Sequence, residues 1–309
     1  MSADLPPFEF VVDAQADGSR LDRFLLAEMP DVTRGSIERL CARGRVRVDG
    51  KRAAKGMRLR GGQVVAVAAA LDEQPVAQPE LALEVLAERA DFIAVNKPAG
   101  LPCHPLVPGE TDTLANALVA RFPECATASV VAREGGLTHR LDTSTSGILL
   151  AARSRESYSR IRQWFAEGQV GKRYLALVEG AIDDSGVVDY PIEADPNDRR
   201  RVVAVRDRFD RGLGATTNYQ PIATHGELSL LEVGCTTGRR HQVRVHLAAI
   251  GHPLVADTLY GARAVAQLRG AFLHALSLQI ADELLTAPLP PNRAQYLRES
   301  GFDPSPFVG

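Results

Sequence analysis

Cysteine is scarce in this 309-residue chain: Cys41, Cys103, Cys125 and Cys235 stand apart, with no short pairing among them. That disfavours both a disulfide framework and a zinc cluster, and the four read as reduced packing residues. Long apolar runs are missing as well. The longest, residues 64–71, is about half of the roughly 18 residues a membrane span needs. The first ten residues, MSADLPPFEF, hold an early acid and two prolines and lack a basic segment followed by an apolar one. They do not read as a secretory leader, so a cytoplasmic location is expected. There is no internal repeat, no phosphate-cradling glycine loop and almost no net charge, 36 basic side chains facing 38 acidic ones. With 45% hydrophobic and 24% charged residues, a disordered or collagen-like chain is excluded, and the length suggests about two domains.

What charge there is lies unevenly. Residues 19–60 carry twelve Lys and Arg against five Asp and Glu, a surplus of +7, so the remainder sums to −9. Such asymmetry is one mark of a nucleic-acid partner. Apolar spacing over 20–26, and again at Ile37, Leu40 and Cys41 behind Thr33, predicts two short helices. Arg45, Val46, Arg47 and Val48 then alternate basic and apolar up to an Asp49-Gly50 turn, after which Lys51 and Arg52 begin the return of a hairpin. Arg34, Arg39, Arg43, Arg45, Arg47, Lys51 and Arg52 could meet phosphates on one surface; a merely solvated face is the plain alternative. RLDRFLL followed by TRGSIERLCARGRVRVDGKRAAKGMRLRGGQVV resembles the S-four-type RNA-binding domain. The expected organisation is an extension over 1–14, this domain over 15–71, a Pro-containing linker over 72–81 and a larger domain over 82–309.

The larger part reads as mixed α and β, because strand-length apolar runs (FIAVN, GILLAA, YLALVEG, LSLLEV) alternate with helical spacing over 114–122 and 158–165. Its most informative segment is THRLDTSTSGILLAAR, 138–153, where Asp142 sits between a charged turn and an apolar strand. Arg140 and the cluster Thr143, Ser144, Thr145 and Ser146 offer donors that favour an ionised carboxylate. Such an acid can be a nucleophile, or it can cap a turn, and the local sequence leaves both open. In TTGRRHQVRVHLAAIGHPLVADTLYG, 236–261, Val243, Leu247 and Ile250 give an amphipathic helix stopped by Gly251. Arg240, Arg244 and Ala248 share another face, from which an Arg can grip a carboxylate or phosphate, or form an ordinary surface pair. His241 and His246 are about 140° apart around that helix, so they do not form a metal site. Tyr174 in GKRYLALVEG suits either the core or stacking on a base. NKPAGLPCHP, 96–105, must be a constrained loop, with Lys97 and His104 as candidate substrate contacts.

Taken in order, NKPAGLPCHP, THRLDTSTSG, GKRYLALVEG and the TGR segment resemble the RluA family of pseudouridine synthases over about nine tenths of the chain. Thr138 stands where an apolar residue is frequent in that family, and Arg240 where Thr or Ser is common. The resemblance implies an α+β fold, with a small αα-plus-hairpin domain ahead of a mixed, mainly antiparallel sheet and flanking helices. It implies that Asp142 is the catalytic acid, that Tyr174 stacks on the target base and that Arg244 pairs with the acid. Arg140, with His139, Lys97, His104 and Arg240 around it, would contact substrate. The implied reaction cuts a uridine's bond between N1 and the sugar, turns the base and rejoins it through C5. That is an isomerisation without redox change, so no cofactor and no metal are expected. The uridine must first be extruded, at a cost of a few kcal/mol. Structured RNA is the implied partner, large-subunit ribosomal RNA ahead of transfer RNA, with the protein acting as a monomer away from membranes. Two rivals compete. A phosphotransferase built on Asp142 and Thr145 would need a second acid where Ser144 stands, together with a magnesium cluster. A non-catalytic ribosome-associated RNA-binding protein would leave over 200 residues without a role.

Overall fold

Alternation of small apolar and basic residues builds the N-terminal unit. The computed structural model describes residues 8–29, 32, 34–68, 74–206 and 212–308, and only the backbone of Ser36 and Arg39. β1 (Phe8–Val11) is followed by α1 (Leu21–Glu28), α2 (Arg34–Ala42), β2 (Val46–Val48), β3 (Lys51–Arg52) and β4 (Val64–Val67). The strands form one antiparallel sheet in the order β1-β4-β2-β3. Val46 and Val48 are buried while Arg47 between them is exposed, as a half-buried strand demands. Asp49 and Gly50 both take positive φ, the primed turn that suits a two-residue hairpin. Leu21, Phe24 and Leu25 of α1 and Ile37, Leu40 and Cys41 of α2 close the core. The expected helices and hairpin are therefore present. The expected N-terminal extension is not separate from them, because residues 8–11 form an edge strand on β4.

The second unit contains β5 (Glu84–Glu88), β6 (Phe92–Lys97), α3 (Leu114–Arg121), β7 (Ser146–Ala152), α4 (Arg155–Ala166), β8 (Gly171–Glu179), β9 (Gly186–Val188), β10 (Ile192–Ala194), β11 (Val202–Ala204), β12 (Thr217–His225), β13 (Leu228–Cys235), α5 (Gln242–Ala249), β14 (Leu273–Ile280), β15 (Glu283–Thr286) and α6 (Pro291–Glu299). Its main sheet runs β5-β6-β7-β14-β8-β13-β12-β9, with β15 on β14. Every pairing is antiparallel except β7 with β14. Alternation along β8 sends Ala176 and Val178 to one face, against Val243 and Leu247 of α5, and Leu175 and Leu177 to the other, against Ala294 and Leu297 of α6. Each such buried Leu contributes about 1.5–3 kcal/mol relative to leaving it exposed. The fold class is α+β and mainly antiparallel, as expected.

Two glycines allow the close approach on which the site depends. Gly147 has φ +118°, and a Cβ there would stand 2.2 Å from the Ala275 carbonyl oxygen; only glycine lets β7 and β14 meet. Gly270 has φ +87°, and its Cβ would stand 2.6 Å from Cβ of Ser144. The expected linker is, over its described residues 74–81, bound to the second unit. Gln74 Nε2 donates to the Ala126 carbonyl (3.2 Å), and Gln78 exchanges bonds of 2.8 and 2.9 Å with Asp112. The rest of that segment, 72–73, lies outside the described residues.

Candidate active site

The site begins with a loop whose backbone is fastened from three directions. Asp142 lies just before β7 and follows Leu141, whose N–H and carbonyl both meet Cys103 Sγ (3.3 and 3.1 Å). The Thr143 carbonyl accepts from Gly100 N–H (2.7 Å) and from Lys97 Nζ (3.3 Å). The Ser144 carbonyl accepts from Arg293 Nη2 at 2.8 Å, while the same guanidinium reaches the Leu273 and Ala271 carbonyls at 2.6 and 2.9 Å. Burial pulls Arg293 down to about 9. Ser146 closes the loop: His274 Nε2–H donates to the Ala287 carbonyl (3.0 Å), which leaves Nδ1 to accept the Ser146 hydroxyl (2.8 Å). Burial holds that ring near 4, hence neutral.

On this rigid loop the Asp142 side chain, 17% exposed, faces Arg244 Nη1 at 3.3 Å and His241 Nε2 at 3.8 Å. Arg244 is itself oriented by a bidentate pair with buried Asp257, Nε to Oδ2 at 2.7 Å and Nη2 to Oδ1 at 2.8 Å. Burial pulls the Arg244 guanidinium down, but the bonds to Asp257, with a smaller contribution from Asp142, more than offset it and leave it raised. Its plane also lies 5.1 Å from the Tyr260 ring centre. Two non-glycine residues flank this group in the left-handed region, His241 at φ +53° and Ala256 at φ +65°. Backbone strain of that kind concentrates at functional sites. Tyr174, half-buried on β8, pairs in register with Ala275 and Val233. Burial, then the charges of Cys235 and Asp142, push its phenol upward, so it stays protonated. A carboxylate set against a buried guanidinium, beside an un-ionised aromatic ring, can attack or deprotonate a planar electrophile. Among the described residues no group of three or more His, Cys, Asp or Glu could hold a metal ion.

Residues 91–249 match the family model for RNA pseudouridylate synthases, and residues 19–65 match the S4 domain. The chain belongs to the RNA pseudouridine synthase family. It is 38% identical to an uncharacterized RNA pseudouridine synthase of Chloroflexus aurantiacus over 94% of this chain and 92% of the relative. It is 34% identical to ribosomal large subunit pseudouridine synthase D of Xanthomonas campestris pv. campestris over 90% and 86%. Among solved structures it is similar to human RNA pseudouridylate synthase domain containing 1, with TM-score 0.53 and 27% identity over 68% of this chain and 83% of that one. A member of this family is an isomerase that acts on uridine in RNA.

Within this synthase the expected residues divide. Asp142 and Arg244 come together, and the charge of Asp142 reaches Tyr174. Arg140 is exposed, and its charge reaches half-buried His104, whose ring is pulled down first by burial. The donors expected for Asp142 from its own neighbours give way to the Arg244 guanidinium of α5, because Ser146 is taken by His274. Lys97, expected at the substrate, is instead fully buried with its ammonium on the Pro98, Leu101 and Thr143 carbonyls, and burial lowers it to about 8. His139 likewise turns inward. Its Nε2 accepts the Leu150 N–H (3.1 Å), its ring lies 4.6 Å from Phe165, and burial drives it to about 3. Arg240 does not share the helical face of Arg244, since α5 starts two residues later; its Nη2 holds the Arg199 and Arg200 carbonyls (3.1 and 2.7 Å). Asp257, Tyr260 and Arg293 escaped the sequence reading. The first two lie within the VADTLYG stretch, but nothing in their spacing says which Arg they meet.

On the N-terminal unit, Arg34, Arg43, Arg47, Lys51 and Arg52 are exposed and Arg45 is half-buried. The Arg39 side chain lies outside what is described. Arg47 stands opposite Arg52 across the hairpin, and their guanidinium groups donate to different carbonyls, Arg47 Nη1 to Gly50 (3.0 Å) and Arg52 Nη2 to Ala42 (2.5 Å).

Proposed function

We propose that this chain isomerises uridine to pseudouridine in large-subunit ribosomal RNA, with Asp142 as the catalytic acid. The observation that carries the assignment is the arrangement of its carboxylate: partly open, and held by a guanidinium that a second buried carboxylate fixes in place. Either the carboxylate adds to the sugar's anomeric carbon, or it promotes departure of the base and then removes a proton. Tyr174 stacks on the extruded base, and Arg140 fills the vacated position in the RNA stack. The basic S4 unit holds structured RNA through phosphates and shape, which leaves local sequence to the cleft. Ribosomal RNA is preferred because relatives such as that of Xanthomonas campestris bear a large-subunit name. The chain carries both the RNA-holding unit and the whole carboxylate–guanidinium group, which supports action as a monomer, and a ribosomal RNA substrate supports a cytoplasmic location.

The test incubates ribosomal and transfer RNA from a deletion strain with the protein or with Asp142→Asn, then maps pseudouridine chemically. The parent should modify a large-subunit position and the variant none. Equal modification by the variant refutes the role of Asp142; modification of transfer RNA alone refutes the substrate.

A further inference from the structure

His241 is the residue at this site that the proposed chemistry leaves unused, and its environment is unusual in three independent respects. It sits immediately before α5 with φ +53° and ψ +20°, a left-handed conformation that a non-glycine residue adopts only at a cost. The backbone there points the ring at the acid, with Nε2 3.8 Å from Oδ1 of Asp142, the carboxylate oxygen that Arg244 does not hold. The other ring nitrogen is fixed: Nδ1 lies 3.0 Å from the Tyr260 hydroxyl, and the two rings meet edge to face with centres 5.7 Å apart. That phenol oxygen accepts the Val202 N–H (3.1 Å) and donates its own hydrogen to the Val202 carbonyl (3.3 Å). In the tautomer that keeps the phenol hydrogen on the Val202 carbonyl, Nδ1 is the donor to Tyr260 and Nε2 carries the lone pair.

Resting on the isomerase reading, we propose that His241 is the proton acceptor of the last step, taking the hydrogen from C5 of the rotated base. Once C5 is joined to the sugar, the C5–H bond breaks and its pair becomes the C5=C6 bond. The former N1=C6 pair moves to N1, and the proton passes to Nε2. N1 then takes a proton from the imidazolium or from water, so the isomerisation is proton-neutral. Asp142, Arg244, Arg240 and Asp257 supply the charges around the ring, while burial keeps it near 4 and therefore neutral before the step. Apo separations of this length commonly shorten when substrate is bound.

The test uses RNA carrying uridine or 5-deuterouridine at the target, with the parent, His241→Asn and His241→Gly. Both replacements tolerate positive φ, so the variants should fold; thermal melting within a few degrees of the parent checks this. The parent should convert both RNAs at similar rates. The variants should slow by roughly 10²-fold, the size typical of general base catalysis. They should also acquire a several-fold deuterium effect, bind RNA as before, and in the Gly case recover rate with added imidazole. A slowed variant without a deuterium effect, or an unslowed one, overturns the proposal. A parent that makes no pseudouridine would instead overturn the isomerase reading.

Discussion

The two halves of this molecule use cations in opposite ways. In the N-terminal unit Arg34, Arg43, Arg47, Lys51 and Arg52 are exposed beside a small buried core. In the catalytic unit Lys97, Arg244 and Arg293 are buried, and each has its N–H groups committed to carbonyls or carboxylates at fixed distances. Exposed charge acts at a distance, is screened by salt and suits a partner whose charge is a repeating backbone. Buried charge costs desolvation unless it is paired, and in return holds one geometry. The basic surplus visible in composition therefore lies on exposed residues of the S4 unit, whereas the cations beside Asp142 are buried and paired and contribute little to any charge count.

That contrast can be tested directly. The largest effect should come from Asp142→Asn, which we expect to lower the rate of pseudouridine formation by roughly 10³-fold or more, the scale on which removing an essential catalytic group acts. RNA affinity, measured by filter binding, should stay within a few-fold of the parent. Removing residues 1–73 should do the reverse, weakening binding by about 10²-fold and flattening its dependence on salt, since the phosphate-facing cations leave with the segment. Circular dichroism and melting should show the remaining unit still folded; an unchanged salt slope would contradict the assignment of the basic face. Arg244→Lys keeps the charge but cannot bridge Asp257 and Asp142 together, and should slow turnover by about 10–100-fold with the KM for RNA unchanged.

A smaller effect concerns half-buried Glu134, which accepts from the Tyr158 hydroxyl at 2.9 Å and is pushed by desolvation up to about 7. A carboxyl raised in the folded state stabilises fully below its unfolded value and progressively less as pH rises toward 7. The parent should therefore lose at most about 3 kcal/mol between pH 4.5 and 7 from this group, and Glu134→Gln should flatten that part of the profile in chemical denaturation. The smallest effect is Arg47→Ala, which should reduce the salt slope of RNA binding by about one and leave catalysis at saturating RNA untouched.

Much of the fold was legible because it rests on short-range rules. The alternation at Arg45–Val48 gave β2 and the Asp49-Gly50 pair gave its turn, whereas the spacing at Val243 and Leu247 found only one face of α5, which is buried on all sides over 242–247 rather than amphipathic. The segment 74–81 misled because its prolines and polar residues suit a linker, while its bonds are made to residues over thirty positions away. His139 and Lys97 misled for a related reason. A charged or titratable side chain in a loop reads as available to substrate until burial shows its donors or acceptors already satisfied.

The amino-acid sequence by itself determined the S4-type unit, the alternating strands and the identity of Asp142, Tyr174 and Arg244 as the residues to watch, because each lies within a local pattern of charge, period or motif. Packing between distant elements sets how Asp257 clasps Arg244, how Arg293 fastens the loop bearing Asp142 and how His241 turns Nε2 toward that acid. These contacts join residues from 13 to 149 positions apart. Hydrogen-bond geometry between such partners is set by how sheets and helices pack, for which no spacing along the chain stands as a proxy.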